Sequence, residues 1–283
     1  SEHLAGNIGF EATINVKDGE SKVTTTLTGS VYIKEVADGV TIDPTKTGID
    51  KNAFEWTSLN LNANMKDIDG SEKMHFTLEG LDSSAQFRIV DKDGNITDLS
   101  SQSKFENGKW TINGIEAKDI NNIQITHDKS VKDIKVEAWT QDGQDADISN
   151  KVEGKFDLNF TQDALKDGTL TLGKEMNIDF SKIESGDIKD VSTIDLGAQG
   201  ENKLLNLTLQ DVMDIGKKDL SGNINLTILG DEKDGVSFAK NDGWKKSETT
   251  ITENNKTFDV YTNDGNSTVQ VKVEQPISDG ITN

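Results

Sequence analysis

Asp-Gly and Asn-Gly pairs punctuate this chain at short intervals, and that spacing constrains its fold more than any other feature. They fall at Asp18-Gly19, Asp69-Gly70, Asp93-Gly94, Asn107-Gly108, Asn113-Gly114, Asp142-Gly143, Asp242-Gly243 and Asp264-Gly265. Such pairs tolerate the positive φ that a tight hairpin demands. Between them, apolar and polar residues alternate over short runs, as in Lys109-Trp110-Thr111-Ile112 and Val269-Gln270-Val271-Lys272-Val273. Period-two patterning with β-branched residues and frequent turns predicts antiparallel strands in sandwiches. Helical signals are few. The best is Ala164-Leu165-Lys166, and Leu209–Ile215 has the makings of one short helix.

Composition narrows the architecture. Hydrophobic residues are 33% and aromatics 6% of 283 residues, which suits several thin sandwiches better than one large core. Only 2 prolines accompany 25 glycines. With no cysteine there is no disulfide, thiolate metal site or cysteine nucleophile. Stability must come from packing, backbone ladders or metal. No apolar run approaches the roughly 18–20 residues of a membrane-spanning helix. Neither is a cleavable leader visible at Ser1, and the pattern reads as an excerpt from a longer chain. Against 30 basic residues stand 50 acidic ones, a formal charge of −20. That surface repels nucleic acid and anionic membranes and favours cations; oxygen-rich clusters suit calcium.

An internal echo suggests how the chain divides. Phe10-Glu11-Ala12-Thr13-Ile14-Asn15-Val16 leads to Asp18-Gly19, a Thr-rich strand and Gly29-Ser30-Val31-Tyr32-Ile33. Ile134-Lys135-Val136-Glu137-Ala138-Trp139-Thr140 leads likewise to Asp142-Gly143, a polar strand and Gly154-Lys155-Phe156-Asp157-Leu158. Each reads as the closing hairpin of a sandwich. Residues 1–38 are then the tail of one repeat, or part of the first domain; 39–160 form a sandwich, 161–276 a mainly-β domain and 277–283 a tail.

Candidate ligands follow from carboxylate spacing. Asp67-Ile68-Asp69-Gly70-Ser71-Glu72 packs three carboxylates into one turn, with Gly70 to reverse the chain and Glu72 placed for bidentate ligation. Asp38 and Asp43, near the expected linker, are candidate partners. Asp142, Asp145 and Asp147 after a strand fit calcium and a bare turn equally. Asp231, Glu232 and Asp234 cluster in a turn with the same two readings. Asp91-Lys92-Asp93-Gly94-Asn95 begins like an EF-hand loop, but Gln102 stands where a glutamate is needed, so a plain hairpin is expected.

Nothing points to catalysis. His3, His75 and His127 are isolated in sequence and lack zinc-ligand spacing. No Gly-x-Ser-x-Gly elbow and no phosphate loop occur, and acidic pairs are too abundant for a glycosidase pair to stand out. Trp110 and Trp139, within alternating strands, read as core. Trp244 after Asn241-Asp242-Gly243 is the most exposed-looking tryptophan, though core leads there too.

Ordered landmarks in residues 40–160 resemble the Ig-like extender repeats of giant RTX-type bacterial adhesins. Asp67–Glu72 matches their D-x-D-G-S-E; Leu78-Glu79-Gly80-Leu81 follows, with Asp82 in place of their proline. Asn107-Gly108-Lys109-Trp110-Thr111-Ile112, Ile123-Gln124-Ile125-Thr126 and Val136–Gly143 come next in order. The following segment is similar to the domain found after those repeats: Ile194-Asp195-Leu196, Leu207–Met213, Ile224–Ile228, Gly230-Asp231, Trp244 and Phe258–Tyr261. Met213 and Phe258 depart conservatively, and glycine-rich nonapeptide repeats are absent. The resemblance implies an all-β chain of tandem Ig-like sandwiches, with calcium at domain junctions. It implies a stalk portion of an adhesin exported by type I secretion to the cell surface, serving attachment or biofilm formation. Partners would be Ca2+ and a host or environmental glycan or protein, the fragment itself being monomeric. The alternatives are that the third segment is a glycan- or peptide-binding module, or a secreted hydrolase domain.

Overall fold

The computed structural model describes residues 6–34, 36–143, 148–184, 186–197 and 200–278. The chain is all-β, as its turn spacing predicts, with two short helices and one 3₁₀ turn at Phe180–Lys182 among the described residues.

The first element is a hairpin of β1 (Gly6–Asp18) and β2 (Ser21–Ile33), paired antiparallel from Gly6–Ile33 to Asp18–Ser21. Gly19 closes it at φ 59°.

A two-sheet antiparallel sandwich follows. Its strands are β3 (Val40–Thr41), β4 (Thr57–Ser58), β5 (Asn64–Met65), β6 (Glu72–Glu79), β7 (Gln86–Val90) and β8 (Ile96–Asp98). Then come β9 (Ser103–Glu106), β10 (Lys109–Ile115), β11 (Ile123–Thr126), β12 (Val131–Asp142) and β13 (Val152–Leu158). One sheet runs β13-β12-β6-β10-β9, the other β4-β11-β7-β8, and β3 pairs with β5. All these ladders are antiparallel. Inward residues of alternate positions, among them Phe76, Leu78, Ile112, Ile125 and Val136, form one core. Asn107 and Gly108, both at positive φ, make the β9–β10 turn.

The third segment is built differently. Its strands are β14 (Leu165–Lys166), β15 (Thr169–Thr171), β16 (Asn177–Asp179), β17 (Thr193–Asp195) and β18 (Lys203–Leu207). Helix α1 (Leu209–Ile215) precedes β19 (Ile224–Leu229), β20 (Gly235–Phe238), β21 (Trp244–Glu253), β22 (Lys256–Asn263), β23 (Asn266–Glu274) and α2 (Gln275–Ser278). From β15 to β20 the chain alternates between two sheets, each strand lying parallel to the previous one in its own sheet. The result is a flattened parallel roll of three rungs. Stacked positions are Leu170, Ile194 and Ile228 in one sheet, and Ile178, Leu204 and Val236 in the other. All six are buried in a second core. The antiparallel β21–β22–β23 closes the roll by laying β23 parallel against β19.

Helix α1 forms where expected, started by a capping box in which Thr208 and Asp211 bond each other's backbone N–H. Ala164-Leu165-Lys166 does not become a helix: Leu165–Lys166 pairs with β15 as a short strand. Trp110 and Trp244 are core residues. Trp139 corrects the expectation. It sits on the outward face of β12, stacked on His75 at 5.8 Å, with Lys151 Nζ 4.8 Å from its ring. The bodies interlock, because Ala53 and Phe54, from the sandwich segment, are buried in the roll's core.

Candidate functional site

At one end of the sandwich, the ladder β12–β6 finishes with Asp142 directly opposite Glu72. Direct cross-strand partners share a face, and here both are buried, at 7% and 2% exposure. Two like charges so placed repel each other unless a proton or cation intervenes. Glu72 accepts the backbone N–H of Asp38, and the Thr140 hydroxyl also bonds it. Among the described residues its Oε2 is buried without a hydrogen-bond partner. Burial pushes the Glu72 carboxyl above its ordinary range, and the charges of Asp38 and Asp67 add to that. The two hydrogen bonds oppose the rise.

Local sequence explains the corner. Asp67 Oδ1 accepts the N–H of Asp69 at 2.9 Å, and Asp69 Oδ1 accepts that of Ser71 at 2.8 Å. These successive Asx turns, with Gly70 at φ 99°, bring the chain round into β6. Gly39 N–H donates to Thr140 Oγ1 at 3.0 Å, and Ser149 exchanges hydrogen bonds with the Thr140 backbone, fixing the linker against β12. Of the predicted ligands, Asp38 bonds Glu72 through its backbone N–H, the charges of Asp38 and Asp67 act on the Glu72 carboxyl, Asp142 is the strand partner of Glu72, and Asp69 belongs to the turn that leads into β6. Asp145 and Asp147 lie outside the described residues. Asp43 is exposed, its backbone bonded to Leu61 and Asn62, and among the described residues no hydrogen bond ties it to the corner.

The chemistry of the corner is that of a hard divalent ion, all oxygens, but its carboxylates do not stand at metal-ligand spacing: among the described residues that spacing is met by Asp82, His127 and Asp128. Glu72 and Asp142, with Asp67 and the Asp38 region, are the residues that would hold it.

The Asp231–Asp234 turn is closed by its own backbone. Asp234 accepts the N–H groups of Asn202 and Asp231 at 3.0 and 2.9 Å, and Asp231 accepts that of Lys233 at 2.8 Å. Burial raises the Asp234 carboxyl, though these N–H groups oppose it. Fully buried Asn202 ties the roll together there: its Oδ1 accepts Met176 N–H at 2.6 Å and its Nδ2 donates to Leu196 O. Asp91 likewise serves a turn, accepting the N–H groups of Asp93 and Asn95.

A second cluster escaped the sequence. Where the sandwich meets the roll, buried His127 lies between Asp82 and Asp128, with Nε2 3.0 Å from Asp82 Oδ1 and Nδ1 3.1 Å from Asp128 Oδ1. Nδ1 also lies 2.9 Å from Lys129 O and 3.3 Å from Lys129 N. Nε2 makes no aligned hydrogen bond. The three side chains have metal-ligand spacing. Lys129 already supplies the cation, with Nζ 2.6 Å from Asp82 and 3.3 Å from Asp128. Burial would raise Asp82, but His127 and Lys129 outweigh it and hold the carboxyl well below its usual range. Burial raises Asp128. Nearby, Ser83 donates to Asp187 at 2.5 Å and accepts Glu184 N–H at 2.6 Å, bonding the two bodies. Asp82 and His127 are far apart in sequence, so no local signal joins them.

Along the same junction runs a groove of about 520 Å³, lined by Trp56, Phe105, Ile183, Leu205, Asp98 and Asp179 among others. Asp179 resists the upward effect of burial through hydrogen bonds from Asn206 and Ser181.

No family model and no curated protein matches this chain. Among solved structures, AvmM, which catalyses macrocyclization in alchivemycin A biosynthesis, is 9% identical, covers 48% of this chain and 99% of its own, and has a TM-score of 0.29. The collagen-binding subdomain of the Enterococcus faecalis surface protein ACE is 10% identical, covers 39% of this chain and 93% of its own, with a TM-score of 0.22. Similarity at that level carries no functional argument.

Proposed function

We propose that this chain is a calcium-stabilised structural portion of a secreted bacterial surface adhesin, an extracellular stalk element supporting attachment or biofilm formation rather than an enzyme. The observation that carries the calcium reading is the buried Glu72 carboxylate, unpartnered at Oε2 and opposite buried Asp142. Leaving such a group unpaired costs about 1–3 kcal/mol, which an ion removes. The corner sits where the 34–39 linker leaves β2 and enters the sandwich, and Asp38 within that linker bonds Glu72. An ion held there would fasten the linker and restrict the angle between hairpin and sandwich. The adhesin reading adds the resemblance of residues 40–160 to extender repeats. Among the described residues no helix is long and apolar enough to cross a membrane.

Calorimetric titration of the metal-free chain with calcium tests the reading. Heat of binding that disappears in Glu72→Gln supports it; no binding in the unaltered chain contradicts it.

The junction groove favours a second reading, in which the same chain also grips a ligand. Its volume falls within the range of small-molecule sites, and it combines aromatic walls with Asp98 and Asp179. A glycan array with no hits would count against its sugar version.

A further inference from the structure

The β1–β2 hairpin is amphipathic, and its apolar face is bare. Cross-strand pairing puts Val16 with Val23, Ala12 with Leu27 and Ile8 with Val31 on one face. Phe10, Val16, Val23, Leu27 and Val31 are 50–64% exposed. The opposite face carries Glu11, Thr13, Asn15, Thr24, Thr26 and Thr28, with Tyr32 near one end. A lone two-stranded ribbon is marginal in water, and a contiguous apolar face of this kind marks an interaction surface.

The same chain holds a covered counterpart. Pair by pair, Ile8–Val31, Phe10–Gly29 and Ala12–Leu27 correspond to Ile134–Phe156, Val136–Gly154 and Ala138–Val152 of β12–β13. Each series has an isoleucine against an apolar residue, an apolar residue against glycine, and alanine against an aliphatic. In the sandwich, Ile134, Val136, Ala138 and Phe156 are buried in the core, and β12 bonds β6 along its other edge. Among the described residues, β1 has β2 alone as its strand partner.

We infer that β1–β2 is the closing hairpin of a second β-sandwich, and that its partner is a sandwich body like residues 40–126: a strand such as Glu72–Glu79 along the open edge of β1, and an apolar sheet over Phe10 and Leu27. Size argues against a second copy of the hairpin as occupant. Strands of 13 residues are roughly 40 Å long, so two ribbons face to face bury about 900 Å² in total. That is short of the roughly 1,200 Å² of a stable interface. A paired edge strand together with a covering sheet exceeds it.

The test fuses a second copy of residues 36–130 ahead of Gly6 of the full chain and follows amide hydrogen exchange. The inference expects residues 6–33 to exchange at least 100-fold more slowly than in the unextended chain. Leu27→Asp should abolish that protection and leave exchange in residues 36–278 unchanged. Unchanged exchange at 6–33, whether the added copy stays open or captures residues 131–158, overturns the inference. Sedimentation of the unextended chain is the second measurement. A monomer supports the inference, and a dimer dissolved by Leu27→Asp overturns it in favour of self-docking.

Discussion

Glu72 and Asp142 stand opposite each other at the end of the β6–β12 ladder, both carboxylates buried and one oxygen of Glu72 unpartnered. A neutral isostere at Glu72 should therefore act in opposite directions with and without the ion. In chelator, Glu72→Gln removes a buried charge and should stabilise the chain by about 1 kcal/mol; in calcium it should abolish the ion's contribution. Urea denaturation under both conditions measures the reversal. Equal loss of stability in both would assign Glu72 a purely structural part.

The same carboxyl sets a pH dependence for the metal-free chain. Its folded pKa lies above the ordinary 4.5, so folding favours the protonated form. Stability from this group is fully present below about 4.5 and is lost as pH rises through the folded value. Glu72→Gln should flatten that decline, which thermal melts in EDTA across mildly acidic pH will follow.

Asp82 behaves in the reverse sense. With His127 and Lys129 holding its pKa below 3.8, its contribution is complete above about 4 and is lost as pH falls through the folded value. Asp82→Asn should cost about 1–3 kcal/mol at neutral pH, because it leaves buried His127 and half-exposed Lys129 without their carboxylate. The variant should also lose the corresponding acid sensitivity, measured by denaturant unfolding from neutral pH down to about pH 1.

Asn202 joins successive rungs of the roll through Met176 and Leu196, and its N–H donates to Asp234. Asn202→Ala orphans a buried N–H and a buried C=O and should cost about 2–4 kcal/mol. Hydrogen exchange should rise across residues 169–238 and leave residues 72–115 protected.

At Gly173 the two bodies touch so closely that a Cβ would run into the Phe54 carbonyl. Gly173→Ala should destabilise by about 1–3 kcal/mol, through movement of a backbone segment shared by both cores. Denaturant unfolding of this variant checks the interlock.

Much of this was legible in sequence because its causes are local. Asn107-Gly108 specifies its hairpin, and Thr208 with Asp211 specifies the start of α1. The corner was legible in part: the Asp67–Glu72 turn is short-range, and the hairpin echo pointed to Asp142. The echo itself slips. Matching the two hairpins by their strand pairs makes Phe10 the counterpart of Val136, whereas aligning the two Asp-Gly turns makes it the counterpart of Ile134. The parallel roll was missed because alternation reports a strand's two faces and not its direction. A signal was present. Thr169-Leu170-Thr171-Leu172-Gly173, Thr193-Ile194-Asp195-Leu196-Gly197 and Thr227-Ile228-Leu229-Gly230 recur, and their first three positions stack in register. Asn254 and Asn255, both at positive φ, make the β21–β22 turn without glycine and escaped notice. The Asp82–His127 cluster depends on tertiary packing alone, and nothing near either residue announces it.

The most direct measurement is the melting temperature of the chain in saturating calcium and in excess EDTA. An ion at 100 times its Kd adds about 2.7 kcal/mol, which for a domain of this size is about 5 °C or more. The account predicts that rise in the unaltered chain and its loss in Glu72→Gln. Superimposable melting curves with and without calcium would contradict it.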